Sequence, residues 1–251
     1  MDKISVVTVC FNSEKTIEDT IKSVVSQDYP NVEYIIIDGL SSDSTLEIID
    51  RYRDKISKLL SEKDKGIYDA INKGVKLATG EVVAILNSDD LYADSKVLSR
   101  VMNLFLESDA GAVYGDLEYV SREDVSRVSR YWRSGQYHEG RFLKGWMPPH
   151  PAFFLRRSCY ESHGYFHTDF KTSADYELML RMIHVKGVRP AYLPGVLVKM
   201  REGGQSNVSL KNRIEANRED HRAWLLNGIK PGRFTLLRKP LSKLNQFFRR
   251  R

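Results

Sequence analysis

Two adjacent acids follow an apolar run in the first half of the chain, in the sequence Asn87-Ser88-Asp89-Asp90. Aspartate oxygens are hard ligands that suit Mg²⁺ or Mn²⁺, and such an ion can hold the phosphates of a substrate. A plain turn is the alternative, because asparagine, serine and aspartate are all common turn formers. These residues by themselves leave both interpretations open.

Another acid, Asp38, directly follows the apolar run 32–37. An acid in this position can accept hydrogen bonds from the base or ribose of a nucleotide. The chain has no Gly-x-Gly-x-x-Gly after its first apolar run and no Walker lysine loop, which argues against a dinucleotide cofactor and against ATP hydrolysis. After these exclusions, the candidate ligand is a nucleotide diphosphate held by a metal ion.

The elements that must position these acids alternate along the chain. Apolar patterns predict strands at 4–9, 32–37, 56–61 and 82–86. Helices are predicted between them, and Ile67 is expected on the buried face of the third. Such alternation favours a parallel, doubly wound sheet. Because the carboxyl ends of parallel strands share one edge, we expect residues 8–12, Asp38 and 87–90 to converge there.

The pattern is weaker after residue 110. A strand is predicted at 112–116, ending in Asp116, and a polar strand-like stretch runs on through Tyr131. His150 lies in the loop Trp146-Met147-Pro148-Pro149-His150-Pro151 and could be a metal ligand or an ordinary loop histidine. The second interpretation is favoured.

Composition sets broad limits. With 251 residues, 41% of them hydrophobic and 29% charged, the chain is an ordinary globular sequence. No apolar run approaches the ~20 residues of a membrane-spanning helix, and the start runs directly into a strand pattern, which predicts no secretory signal. Cys10 and Cys159 make no disulfide framework, which fits a reducing cytoplasm.

The net charge of +6 is concentrated at the end of the chain. Residues 211–251 hold 12 Lys/Arg against 3 Asp/Glu, a local +9, so residues 1–210, with 27 and 30, carry −3. The basic residues alternate with leucine and phenylalanine, a mixture that suits an amphipathic segment on an anionic membrane surface. A solvated basic tail and a nucleic-acid patch are the alternatives. Pro240 makes one continuous helix doubtful.

Four motifs in order resemble the family 2 glycosyltransferases of the GT-A fold, especially bacterial members that build O-antigen and exopolysaccharide repeat units. They are Ser5 to Asn12, Ile37 to Gly39 with 42–45, Asp64 to Gly74, and Leu86 to Asp90. The resemblance implies an α/β fold with a Rossmann-like, mostly parallel sheet flanked by helices. It implies a GT-A domain over 1–210, with a nucleotide-sugar half (1–120) and an acceptor half (121–210), followed by a basic helical tail (211–251).

The resemblance also implies roles by position. The uracil and ribose of a UDP-sugar would be held by residues of the first two motifs, and further donor contacts would come from the third and fourth: Thr8, Val9, Phe11, Asn12, Asp38, Lys65, Asn72, Asn87 and Ser88. Asp89 stands at the last acid of the family's Asp-x-Asp motif and would bind Mn²⁺ or Mg²⁺, with Asp90 as second choice. Asn87 replaces the first acid of that motif.

A further acid, Asp175, falls in the first turn of a helix that Thr172 or Ser173 can cap. Complementing the helix dipole would by itself explain an acid there. The resemblance makes Asp175 the general base, with Glu177 a poor second. It places Lys65 or Arg181 beside the departing diphosphate and makes residues 200–206 a mobile loop that closes over the donor.

The sequence therefore predicts a metal-dependent, inverting glycosyltransferase, peripheral on the inner face of the cytoplasmic membrane and with no nucleic-acid partner. It would move glucose, galactose or an N-acetylhexosamine from a UDP-sugar to a polyprenyl-diphosphate-linked saccharide. A non-catalytic scaffold of a polysaccharide assembly complex is one alternative. A sugar nucleotidyltransferase is another, but the glycine-rich basic loop expected after its first strand is not present at 10–14.

Overall fold

A computed structural model describes residues 1–203 and 210–230. These residues form one nine-stranded sheet flanked by helices. The strands are β1 (Ile4–Cys10), β2 (Val32–Asp38), β3 (Lys58–Ser61), β4 (Val82–Ile85), β5 (Asp90–Tyr92), β6 (Ala112–Val120), β7 (Val128–Trp132), β8 (Phe153–Arg156) and β9 (Pro190–Arg201). The helices are α1 (Ile17–Val25), α2 (Thr45–Asp50), α3 (Ile67–Leu77), α4 (Val97–Glu107), α5 (Arg157–His163), α6 (Ala174–Met179) and α7 (Leu210–Leu226).

The first half of the sheet is parallel, as the alternation of strands and helices predicts. Its order is β3-β2-β1-β4. Every residue of β1 is buried, which is expected of a strand covered on both faces. The register pairs Cys10 with Asp38 and Asp38 with Ser61, so the carboxyl ends of these strands meet at one edge.

The second half of the sheet is mixed, in the order β8-β6-β9-β5, with β7 paired to β6. Because β8 runs antiparallel to β4 and pairs Phe154 with Ala84, the start of β8 lies beside the carboxyl end of β4. β6 continues to Val120, so Asp116 lies within a strand and the prediction that it ends one was wrong. The stretch 121–203 adds strands to the same sheet.

Helix α3 packs against β1 and β2. A Cβ added to Gly74 would stand 2.2 Å from Cγ1 of Val7, so only glycine allows this close approach. Ile67 is 46% exposed, which contradicts its predicted place on the buried face, whereas Tyr68 is 8% exposed. The helix begins at Ile67, and its first residue projects beyond the contact with the sheet.

The start of the predicted basic tail is part of the folded body, since α7 packs on α6 and Trp224 is fully buried. The indole N–H of Trp224 donates to the hydroxyl of Tyr176 at 2.9 Å. Residues 231–251, which hold most of the predicted membrane-binding segment, lie outside the described residues. Within the described ranges, no helix is long and apolar enough to cross a membrane.

Candidate active site

The loops after β1 and β2 are joined by hydrogen bonds at the predicted edge. Asn12 has a φ of +49°, and its side-chain oxygen accepts from the amide of Ser42 at 2.9 Å. The main-chain N–H of Asn12 donates to the hydroxyl of Ser41 at 2.8 Å. Phe11 is 62% exposed beside these loops, which leaves an aromatic face open to solvent. An open ring of this kind can stack on a nucleotide base.

Two other residues predicted in this motif face the core. Thr8 is fully buried and its hydroxyl accepts from Tyr34 at 3.2 Å, while Val9 is 5% exposed. As consecutive residues of β1, they bury their side chains on opposite faces of the sheet. The nucleotide contacts predicted for Thr8 and Val9 would therefore use the main chain, and they stay a prediction.

Asp38 is fully buried at the shared edge. One carboxylate oxygen accepts from the hydroxyl of Ser41 at 2.5 Å, and the other from the hydroxyl of Ser61 at 2.7 Å. The thiol of Cys10 lies 3.6 Å away. Burial, and then the charge of Asp38, raise the pKa of Cys10, so this thiol stays protonated and is no nucleophile.

The residues after β4 differ sharply in exposure. Asp89 is partly exposed, and its main-chain oxygen accepts from Arg201 at 3.0 Å. Asp90 is 1% exposed and begins β5, and it accepts from the amide of Asn87 at 3.2 Å. Burial raises the pKa of Asp90 well above its usual value, and the charge of Asp89 adds to the rise. Ser88 exchanges a 2.8 Å hydrogen bond with Ser13.

This set of donors fits a metal that is held partly by its substrate. Among residues 1–203 and 210–230, no group of three or more His, Cys, Asp or Glu side chains could hold a metal ion. Mg²⁺ in nucleotide sites uses one or two carboxylates, with phosphates and water completing its shell. Asp89 supplies one accessible carboxylate. Asp90 is a poorer second ligand, because its carboxyl group is buried.

Asp175 lies in the first turn of α6, as the sequence predicts, and its side chain is 17% exposed. The hydroxyl of Tyr68 donates to its Oδ1 at 3.3 Å, and Nδ1 of His150 lies 3.1 Å from its Oδ2. Burial, and next the charge of Asp175, raise the pKa of Tyr68 well above its usual value, so its hydroxyl remains a donor. Tyr68 belongs to the third motif, Asp64 to Gly74, which also contains Lys65. The hydrogen bond from Tyr68 therefore connects Asp175 to that motif.

Neither predicted capping side chain holds the start of α6. Ser173 is the N-cap residue, but its side chain makes no capping bond. Glu219 of α7 accepts instead from the amides of Lys171, Thr172 and Ser173, at 2.7 to 3.0 Å. The pattern 172–175 predicted where the helix begins but could not indicate this partner, which lies 46 residues further along the chain.

Arg181 is buried and cannot reach a departing diphosphate. Its guanidinium binds both carboxylate oxygens of Glu177, at 2.9 and 3.0 Å, and the carbonyls of Gly164 and Tyr165. The prediction for Arg181 was therefore wrong. Glu177 is fully buried in the same ion pair, which removes it as an alternative base.

Asn72 is also buried, and both ends of its amide bind the main chain of Phe166, at 2.8 and 3.0 Å. These bonds join α3 to the segment before α6. The nucleotide contact predicted for Asn72 stays a prediction. The side chain of Lys65 is exposed, and its main-chain N–H donates to Asp69 at 3.0 Å. A contact between its ammonium group and the sugar nucleotide stays a prediction. In the predicted mobile loop, Arg201 is buried, and 204–206 lie outside the described residues.

Comparison with known sequences identifies one family. The sequence model named Glycosyl transferase family 2 matches residues 5–170. A PGL/p-HBAD biosynthesis glycosyltransferase of Mycobacterium bovis is 27% identical over 208 residues, covering 81% of this chain and 78% of that protein. The Escherichia coli UDP-Glc:alpha-D-GlcNAc-diphosphoundecaprenol beta-1,3-glucosyltransferase WfgD is 31% identical over 123 residues, covering 49% of this chain and 48% of WfgD.

Solved structures share the fold. TarS of S. aureus in complex with UDP superposes with a TM-score of 0.66 at 21% identity, over 89% of this chain and 65% of that one. The mannosyltransferase PcManGT from Pyrobaculum calidifontis, in complex with GDP-Man and Mn²⁺, also has a TM-score of 0.66, at 22% identity over 95% of this chain and 69% of that one. The chain thus spans just under two thirds of the TarS chain.

Proposed function

The chain belongs to glycosyl transferase family 2, and from this premise we propose that it is a metal-dependent, inverting hexosyltransferase. It moves a hexose from a UDP-sugar to a hydroxyl of a saccharide carried on polyprenyl diphosphate. The observation that carries the proposal is the placement of Asp175. Its carboxylate is partly exposed, hydrogen-bonded on both oxygens, and connected through Tyr68 to the motif that contains Lys65.

The donor is held at the edge where β1, β2 and β4 end. Phe11 stacks on the uracil, and the loops containing Asn12 and Asp38 surround the ribose. Asp38 is enclosed by serine hydroxyls, so a donor that contacts its carboxylate must displace or share one of these hydrogen bonds. Asp89 would hold the metal, whose charge would stabilise the departing diphosphate. The exposed ammonium of Lys65 adds positive charge nearby.

The reaction needs one proton acceptor. The acceptor hydroxyl oxygen bonds to the anomeric carbon as the bond from that carbon to the UDP oxygen breaks, and the hydroxyl proton passes to Asp175. Attack from the face opposite UDP inverts the configuration, so an α-linked donor gives a β-linked product. Asp175 suits the base better than Glu177, because Glu177 is already neutralised by Arg181.

The acceptor class is supported by WfgD, whose name specifies a diphosphoundecaprenol-linked acceptor and a β-linkage. A lipid-linked acceptor requires the enzyme to work at a membrane surface, which we place at the inner face of the cytoplasmic membrane. From Lys230 onward the sequence carries eight basic residues and no acid. We propose that this segment binds anionic lipid, and reversing Arg249, Arg250 and Arg251 to glutamate should abolish cosedimentation with phosphatidylglycerol vesicles while leaving UDP binding unchanged.

The test is UDP release from a panel of UDP-sugars, with polyprenyl-diphosphate-linked N-acetylglucosamine or with water as acceptor, in Mn²⁺ or in EDTA. We expect one donor to turn over only with metal. Asp89→Ala should lose metal-dependent UDP binding. Asp175→Asn should bind UDP normally but lose turnover by at least about 100-fold, the lower end of the range for removing a general base. The product anomer should be the inverted one by NMR.

Asp109→Asn is the matched control. Asp109 is an exposed acid before β6, at the edge of the sheet opposite the site, and it pairs with Arg189. This variant should retain full activity. Failure of the wild type to bind UDP under any metal condition would refute the transferase and favour the scaffold.

A further inference from the structure

His150 lies at the active edge because of the sheet register. β8 begins at Phe153, three residues after His150, and pairs Phe154 with Ala84 of β4 and with Val113 of β6. The residue is thereby anchored to two central strands. It lies between Pro149 and Pro151, both of which are buried. Proline restricts the main chain on both sides, so the imidazole is presented from a rigid segment.

The carboxylate of Asp175 is held between two side chains from distant parts of the chain. The Tyr68 hydroxyl binds Oδ1 at 3.3 Å, and Nδ1 of His150 contacts Oδ2 at 3.1 Å. One partner comes from α3 and the other from the turn before β8, while the acid itself is on α6. Each carboxylate oxygen has two lone pairs, so both oxygens keep capacity to accept a further proton after these contacts.

We infer that His150 and Tyr68 are positioning residues for Asp175, which fix the plane of its carboxylate so that a free lone pair points at the acceptor hydroxyl. This inference rests on the proposed function and goes beyond it, because it assigns two residues that do not take the proton themselves. The physical reason is geometric. A misplacement of about 1 Å at a reacting group can cost about 100-fold in rate, and an aspartate held at only one oxygen can turn about its χ2.

A metal-binding role for His150 fits the structure less well. His150 contacts one acid, and no cluster of three potential ligands exists in the described part of the chain. A purely structural role would also differ from positioning in a measurable way. It would lower thermal stability and affect all steps together, whereas loss of positioning lowers kcat and leaves donor binding intact.

The experiment compares two amide replacements that differ in where they place a donor. His150→Asn puts an N–H near the position of Nδ1, whereas His150→Gln puts it near Nε2. Neither residue ionises. The assay is UDP release, with water as acceptor, from the UDP-sugar that the wild type hydrolyses fastest, together with the UDP dissociation constant and the melting temperature of each variant.

We expect His150→Asn to keep kcat within about threefold, and His150→Gln to lose about 10- to 100-fold, the range found for residues that orient a functional group. The KM for the donor and the UDP dissociation constant should stay within about twofold in both histidine variants, since the proposal places the side chain at position 150 against Asp175 and not against the donor. Tyr68→Phe, which removes only the hydroxyl, should also lower kcat without raising KM.

Equal kcat in His150→Asn, His150→Gln and the wild type, with full activity in Tyr68→Phe, would refute the positioning role while leaving the transferase intact. A parallel loss of melting temperature and of kcat in both histidine variants would show a structural role instead. If Asp175→Asn keeps full turnover, or if the wild type releases no UDP, the proposed function itself fails, and this inference fails with it.

Discussion

At the scale of the residue, the same carboxyl group acquires different properties from its surroundings. Asp38 is buried among serine hydroxyls, Asp90 is buried with a raised pKa, and Glu177 is neutralised by an arginine. Of the five acids predicted for the site, Asp89 and Asp175 are the two that are partly exposed. Exposure therefore separates the proposed metal ligand and the proposed base from the buried acids, although the sequence does not show which acids are buried.

The neighbouring pair Asp89 and Asp90 gives a direct test of this distinction. Asp89→Asn should weaken UDP binding in Mn²⁺ at least about tenfold, because it removes a charged ligand. Asp90→Asn should change it less than about threefold, because the Asp90 carboxyl group is buried and an amide has nearly the same shape. Calorimetric titration with UDP measures both. A larger loss in Asp90→Asn would make Asp90 the metal ligand.

Arg181 should matter for stability and not for the diphosphate. Removing one partner of a buried ion pair leaves the other charge unpaired, so Arg181→Ala should lower the free energy of unfolding by about 3–5 kcal/mol. Urea denaturation measures this change. An Arg181→Ala protein with wild-type stability and weakened UDP binding would contradict the buried clamp seen with Glu177.

At the scale of the element, α6 depends on α7. Helix α6 has six residues and continues into a π-helical segment, Leu180–Val185, and isolated helices of this combined length are marginal in water. Glu219 of α7 satisfies the amides at its start. Trp224 of α7 donates to Tyr176, and Asn227, the residue after α7, donates to Glu177. The helix that holds the proposed base is therefore formed by contact with α7, a helix outside the family-matched residues 5–170.

Replacing Glu219 tests this dependence. Glu219→Ala should lower the free energy of unfolding by about 1–3 kcal/mol, because it leaves buried amide donors without partners. Glu215→Ala is the control on the same helix, where an exposed pair with Lys171 at 3.3 Å is lost. Its effect should stay below about 1 kcal/mol. Equal effects of the two variants by thermal or urea unfolding would mean that the cap does not stabilise α6.

At the scale of the whole molecule, one continuous sheet joins the donor half to the acceptor half. Its parallel part is also tied at the edge away from the site. There Glu33 of β2 accepts from Ser5 at 2.6 Å, from Lys58 at 2.8 Å and from the amide of Thr79 at 2.7 Å. Residues of β1, β2 and β3 and the segment after α3 thus meet at one carboxylate.

This network predicts how the stability of the fold depends on pH. Burial alone would raise the pKa of Glu33, but the Lys58 and hydroxyl donors more than offset it and lower the pKa to about 2. A depressed folded pKa contributes stability that is complete above the unfolded value, near 4.5, and is lost as pH falls towards 2. The contribution is up to about 3 kcal/mol.

Urea unfolding at several pH values between 7 and 2 checks this. The wild type should lose its advantage over Glu33→Gln as the solution is acidified through this window, so the two curves should converge at low pH. A constant difference between wild type and Glu33→Gln from pH 7 to pH 2 would contradict the pKa of Glu33.

The sequence by itself determined the parallel half of the sheet and the convergence of three motifs at its carboxyl edge. It also located the helix of Asp175. These features follow from local patterns: apolar runs define strands, and parallel strands linked by helices must end at one edge. The family motifs then favoured one role for each acid: a ribose contact for Asp38, a metal ligand for Asp89 and the general base for Asp175.

Only the tertiary structure decided which acids are exposed, which side chains hold Asp175, and what caps α6. Tyr68 and Asp175 are 107 residues apart in the chain, and Glu219 lies 46 residues from Ser173. The order of β8, β6, β9 and β5, and their mixture of parallel and antiparallel pairs, could not be predicted from the sequence either. Such contacts depend on how distant segments pack, and burial changes both the charge and the partners of a side chain. For that reason Arg181, predicted beside the diphosphate, is held instead in a buried ion pair with Glu177, and the side-chain amide of Asn72 binds the main chain of Phe166.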